Sequence, residues 1–280
     1  MKKNIRFKYP YYYWIFVDFT KVVIIGEDPE REAREYLGYP LIIIYPNHKN
    51  PSREFLIRKD VTILHSEYSH YPDIESMKIV RDMVFYLLNT SHLNQDDMVL
   101  VIFDKLGEKY EILLDLSKMK YPTLISELGD RLSGEIIENL LRLSMAVAKK
   151  GREGIPTGAL FVVGDSSNVK RYIIQKIANP IKSLSIEERS ILDERNFDTL
   201  REFATMDGAM IIDSRGYVLT CGAYIKTLFV EEWLADGLGG RHLAGKSITR
   251  LTRAISFVVS SEGTIRIYRD GRLVYELDSF

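Results

Sequence analysis

The sequence predicts an α/β protein of two domains, residues 1–125 and 126–280, from three observations. Strand-length apolar runs alternate with helix-spaced segments through the first half. The pattern breaks near Lys118–Ser126, at Met119-Lys120-Tyr121-Pro122-Thr123. A length of 280 residues is long for one domain and sufficient for two, each with its own core. The first domain reads as an α/β sandwich on a mainly parallel sheet, the second as a mixed β-sheet flanked by helices.

In the first half, Tyr11–Phe19 and Lys21–Ile25 are aromatic and β-branched, which favours strands, and Gly26-Glu27-Asp28-Pro29 closes them. Pro29 to Leu37 is a short helix with proline in its first turn and Gly38 just past its end. Leu41–Tyr45 and Val61–Leu64 are strands separated by the turn-rich Pro46–Pro51. Asp73 caps a long helix to about Leu88, in which Ile74, Met77, Val80, Val84 and Leu87 follow helical spacing. Met98–Phe103 and Tyr110–Leu114 complete the strands. Gly26-Glu27-Asp28 lacks the G-x-G-x-x-G spacing of a dinucleotide fingerprint. His65, Glu67, His70 and Asp73 read as polar loop residues, because no three of them have metal-site spacing. No chemistry is legible in this half, and a regulatory or oligomerising role is its default reading.

In the second half, Glu135 to Lys150 is amphipathic, with Ile136, Leu140, Leu143 and Val147 on one face and Gly151 as its stop. Gly158–Val163 is a buried strand. Ser185 to Leu192 and Phe197 to Thr205 read as helices, the second delivering the chain to Asp207. Gly208–Ile212, Tyr217–Cys221, Ile255–Val259, Thr264–Tyr268 and Leu273–Leu277 read as strands, with Asp270-Gly271 as a hairpin turn. Gly237–Ser247 reads as a glycine-rich loop followed by a short helix from Ser247 to Arg253.

Composition narrows the function. With 46% hydrophobic and 28% charged residues and a net charge of −1, there is no basic footprint for a dedicated nucleic-acid binder. One cysteine rules out an internal disulfide and a multi-cysteine zinc site. The first ten residues lack the apolar core of a signal peptide, and no apolar run approaches the roughly 20 residues that span a bilayer. The expectation is a cytoplasmic protein with no membrane partner.

Three stretches carry the candidate chemistry. Asp207-Gly208-Ala209 puts a carboxylate at the mouth of a buried strand, where it can hold Mg²⁺ or Mn²⁺ or polarise a hydroxyl. Gly240-Arg241-His242-Leu243-Ala244-Gly245-Lys246-Ser247 matches the P-loop pattern, but no buried strand precedes it and no acid ends a later apolar run. Its glycines and cations still suit phosphate, and His242 reads as a phosphate or metal group in preference to a core histidine. Val258-Val259-Ser260-Ser261-Glu262-Gly263 is a polar strand end.

Together, Phe203-Ala204-Thr205-Met206-Asp207-Gly208-Ala209, Gly240-Arg241-His242, Ala254–Ser260 running into Glu262-Gly263-Thr264-Ile265, and Gly158-Ala159-Leu160 occur in the order seen in diadenylate cyclases, the enzymes that make cyclic di-AMP. Over about residues 130–280 the chain resembles that family. With an α/β domain in front it resembles the archaeal branch, whose front domain is similar to the C-terminal domain of pyruvate kinase. The resemblance implies a nucleotidyltransferase that condenses two ATP into cyclic di-AMP and two pyrophosphates, with Mn²⁺ or Mg²⁺ as cofactor. It also implies a homo-oligomer, at least a face-to-face dimer, because one domain positions one ATP. Asp207, Arg241 and His242 would be catalytic. Asp207 and Glu262 would hold the metal, and Arg241, His242 and Ser260 the phosphates, beside Gly208 and Gly240. Gly158 and Leu160 would line the adenine pocket, with Ala223 and Tyr224 on its other wall. Leu243 departs from the second arginine of the family's RHR motif, which leaves Lys246 or Arg250 to substitute, and Gly240 stands where threonine is common. The alternative is a catalytically inactive nucleotide-binding regulator, with Leu243 as a sign of lost activity.

Overall fold

A computed structural model describes residues 19–26, 28–46, 49–66, 75–105, 108–119, 123–152, 155, 157–227 and 239–278. The expected strand over Tyr11–Asp18, the Asp73 cap, and Glu67 and His70 lie outside these residues. The chain forms two compact units, one of residues 1–81 and 93–121, the other of residues 82–92 and 122–280.

The first unit is built on five strands: β1 (Lys21–Ile25), β2 (Leu41–Pro46), β3 (Val61–Ser66), β4 (Met98–Lys105) and β5 (Glu108–Asp115). They lie in the order β3-β2-β1-β4-β5. The first four are parallel and β5 returns antiparallel. Val22, Val23, Ile24, Ile42, Ile43 and Leu100 are buried, as strands covered on both faces require. Helix α1 (Pro29–Ala33) continues as a 3₁₀ turn over Arg34–Tyr36, and α2 (Arg53–Leu56) is one turn that the sequence does not announce. The long helix α3 spans Glu75–Asn89, and α4 is a single turn at Leu116–Met119.

The second unit carries seven strands: β6 (Ala159–Val163), β7 (Ile173–Gln175), β8 (Ala209–Ile212), β9 (Val218–Ile225), β10 (Ile255–Val259), β11 (Thr264–Arg269) and β12 (Arg272–Asp278). Their order is β12-β11-β10-β6-β8-β9-β7. Only β6 and β8 run parallel, so the sheet is mixed, as the sequence predicts. Its helices are α5 (Leu124–Leu128), α6 (Gly134–Lys150), α7 (Ser166–Val169), α8 (Phe197–Ala204) and α9 (Gly240–Leu251). Helix α6 buries Ile136, Leu140, Leu143 and Val147, is capped by Ser133, and ends at Gly151. At the hairpin, Asp270 and Gly271 both have positive φ, the geometry that an Asp-Gly pair supplies.

Residues 82–92 belong to this unit. Phe85, fully buried, stacks on Tyr275 of β12 with ring centroids 3.5 Å apart and planes 6° from parallel, and Asp278 N donates to Asp82 Oδ2 at 3.2 Å. Phe85→Ala is therefore expected to destabilise the second unit by about 3–5 kcal/mol. Denaturant unfolding of the full chain measures it, and a loss under about 1 kcal/mol would contradict this packing.

Two expectations are corrected. Ser185 to Leu192 is not a helix but a 3₁₀ turn over Glu187–Arg189. The helix-start signal is real, since Ser185 N donates to Glu188 Oε2 and Glu188 N to Ser185 Oγ. The chain then leaves for the sheet, where Ser190 bridges Tyr217 and Ile191 N donates to Gly216 O. Likewise, Gly240–Ser247 is not a loop before a helix at Ser247. All eight residues lie inside α9, which excludes a P-loop. Gly245 costs helix stability but permits close packing: a Cβ there would stand 2.8 Å from Ser256 Oγ and 2.9 Å from Val258 Cγ2.

Candidate active site

The sheet brings the three candidate stretches to one edge. Strands β6 and β8 start there, and β10, antiparallel to β6 with Val259 opposite Ala159, ends there. Ser260, Gly158 and Asp207 thus occupy neighbouring strand ends. With about 4.8 Å between strands, Asp207 and Ser260 stand on the order of 10 Å apart. The amino end of α9 reaches the same edge: Arg241 Nη1 lies 3.0 Å from where a Cβ on Gly158 would be, and Val259 O lies 2.7 Å from that point. Glycine at 158 is what lets the guanidinium approach the strand ends.

Between α9 and β9 lies a cleft of about 350 Å³. Leu160, Asp207, Gly208, Ala223, Tyr224, Gly240 and Arg241 line it, all expected from the sequence. Ala209, Ile225, Thr227 and Ala244 also line it and were not expected. None of these four carries a charge, and Thr227 alone brings a hydroxyl. Ala244 could have been found had α9 been read as starting at Gly240, because the two are one helical turn apart.

Asp207 is exposed, and its Oδ2 accepts a 2.6 Å hydrogen bond from the Tyr224 hydroxyl. That bond holds the phenolic proton in place and raises the Tyr224 pKa. The Lys176 ammonium stands 4.5 Å from the centroid of the Tyr224 ring. Arg241 Nε is buried and has no hydrogen-bond partner among the described residues. An orphaned donor of this kind costs free energy unless a ligand supplies the acceptor.

The remaining expected residues lie off the cleft wall. Gly158 sits against Arg241. His242 is buried and its Nδ1 is 3.0 Å from the Tyr268 hydroxyl. Lys246 is buried in the middle of α9. Ser260 Oγ accepts from Glu262 N at 3.2 Å and Thr264 N at 3.0 Å, shaping the turn that carries the exposed Glu262. No group of three His, Cys, Asp or Glu side chains able to hold a metal occurs among the described residues. The Cys221 thiol, buried and pushed up to about 12, is no nucleophile. No helix among the described residues is long and apolar enough to cross a membrane.

Residues 146–273 match the family model described as DAC: DisA bacterial checkpoint controller nucleotide-binding. Over those residues the chain is similar to that family. Two curated relatives are both named diadenylate cyclase. The one from Methanocaldococcus jannaschii is 36% identical over 143 residues, which is 51% of this chain and 45% of the relative. The one from Haloferax volcanii is 32% identical over 144 residues, 51% of this chain and 52% of the relative. The chain thus spans about half the length of the curated relatives it matches. Among solved structures, DacA from Staphylococcus aureus aligns at 21% identity and a TM-score of 0.35, over 50% of this chain and 84% of that chain. The DAC match begins within α6 and ends in β12, so it contains the whole cleft.

Proposed function

We propose that the protein is a diadenylate cyclase, condensing two ATP into cyclic di-AMP and two pyrophosphates. The observation that carries this reading is the cleft itself, which is lined by both the cationic Arg241 and an exposed carboxylate, Asp207. A guanidinium on the wall of such a cleft suits a phosphate chain, and the DAC match and both relatives point the same way.

Within that reading, Leu160, Ala223 and Tyr224 enclose the adenine, Gly208 lies against the nucleotide, and the phosphates run along the amino end of α9. There Gly240 offers its backbone N–H, and Arg241 offers its guanidinium. Ser260, at the neighbouring strand end, supplies a hydroxyl.

A divalent cation, Mn²⁺ or Mg²⁺, fits the donors present. Such ions take oxygen ligands, often only one or two carboxylates with substrate phosphates and water completing the shell, and Asp207 offers one open carboxylate oxygen. Glu262, on the exposed turn after β10, is the second proposed ligand. When bound, the cation supplies charge neutralisation of the triphosphate and acidifies a nearby hydroxyl. Asp207 orients the ribose 3′-hydroxyl and accepts its proton as it attacks the α-phosphate of the facing ATP, with pyrophosphate leaving in line. Arg241 neutralises the charge that develops on the phosphates. No covalent protein intermediate is required. Each cleft positions one ATP, so turnover needs two copies face to face about a two-fold axis.

Product chromatography after incubation of the pure protein with ATP and Mn²⁺ or Mg²⁺ tests the proposal. Cyclic di-AMP with pyrophosphate is the expected result. Tight ATP binding without turnover in either metal would replace it with the regulator reading, and Leu243 would then be the first residue to restore to arginine.

A further inference from the structure

Arg241 and His242 are neighbours on α9, and successive helical residues point about 100° apart. Arg241 goes to Gly158 and the cleft, while His242 turns to β11. There its Nε2 lies 3.4 Å from Arg266 Nη1, and Arg266 Nε in turn donates to Glu276 Oε2 at 2.6 Å. A guanidinium has donors and no acceptor, so His242 Nε2 must accept and carries no proton. The single ring proton then sits on Nδ1 and is donated to the Tyr268 hydroxyl oxygen, 3.0 Å away. Burial, with the charges of Arg266, Lys246 and Arg241 against that of Glu276, lowers the His242 pKa to about 4 and opposes a second proton. Both ring nitrogens are occupied, so the imidazole has no donor left for a phosphate.

We infer that His242 and Arg266 are positioning residues: Arg266, held by Glu276, and Tyr268 fix a neutral His242 in its Nδ1–H form, and this pins the first turn of α9 so that Arg241 faces the cleft. The inference rests on the reading of the cleft as a nucleotide site and assigns residues that this reading lacks. The family's RHR motif loses a cation at Leu243, and neither His242 nor the buried Lys246 presents one on the cleft wall. Arg266 contributes from behind, through the orientation of Arg241.

Nitrogen-15 NMR of the full chain, with His242→Gln to identify the signal among the five histidines, reads the tautomer directly. The wild type is expected to show His242 as a single neutral Nδ1–H form between about pH 5 and 8. Arg266→Leu is expected to release that tautomer and to weaken binding of a non-hydrolysable ATP analogue with Mn²⁺ by about tenfold. Arg266→Lys, which keeps a donor, restores most of both. An Nε2–H form in the wild type, or unchanged analogue binding in Arg266→Leu, overturns the inference. A wild type with the expected tautomer and the expected binding losses in the variants, but without cyclic di-AMP formation, counts against the enzyme reading and leaves this one supported.

Discussion

Asp207→Asn is expected to abolish cyclic di-AMP formation, by on the order of 10³-fold or more, while leaving ATP binding within a few-fold of the wild type. The substitution keeps the shape of the side chain. Its amide oxygen can still accept the 2.6 Å hydrogen bond from Tyr224, so the β8–β9 corner keeps its geometry. What disappears is the negative charge, and with it both the affinity for a divalent cation and the capacity to take a proton from the ribose hydroxyl. The cleft walls at Leu160 and Ala223 and the Arg241 side chain are untouched. Turnover and binding should therefore separate. Equal losses of both would mean that Asp207 holds the nucleotide rather than acting on it. Full turnover in the variant would remove Asp207 from the mechanism.

The elements legible in the sequence are those whose burial dictates composition. β1, β2, β6 and β10 are apolar runs because both faces are covered, and α6 shows its stripe because one face is. Elements of three to five residues, such as α2, α7 and β7, are too short to establish a period, and tertiary contacts make them. The start of α9 was hidden for a different reason. Gly239, Gly240 and Gly245 read as loop by propensity, yet Gly245 is in the helix because β10 lies too close for any Cβ. Once that stretch is helical, Arg241 and His242 cannot share a direction. This is why the motif alone suggests two side chains facing one cleft and the fold puts only Arg241 on its wall. The Tyr224–Asp207 bond was equally out of reach, because an irregular β8–β9 register brings together residues that nothing local connects.

That irregular register makes Gly208→Ala the most informative test of how the site is built. Gly208 has φ +104, a region that L side chains rarely adopt, and a Cβ there would stand 2.6 Å from Gly222 C and 2.9 Å from Ala223 N. Both are backbone atoms of β9 and cannot swing aside, so β8 and β9 would have to part. Parting them moves Asp207 away from Tyr224 and opens the wall formed by Ala223. The expected cost is about 1–3 kcal/mol from the backbone alone. A rate loss on the order of 10²-fold should accompany it, since misplacement of about 1 Å has that effect on positioned reactants. Gly222→Ala is the control. Its φ of +68 is also left-handed, but its Cβ would meet the flexible end of Ile177 at 2.7 Å, which can rotate. It should lose stability comparably and keep most of its activity. Thermal melts and initial rates of the two variants separate strain in general from strain at this corner. If Gly208→Ala melts with the wild type and turns over at its rate, the close approach of β8 to β9 is not what holds Asp207 in place.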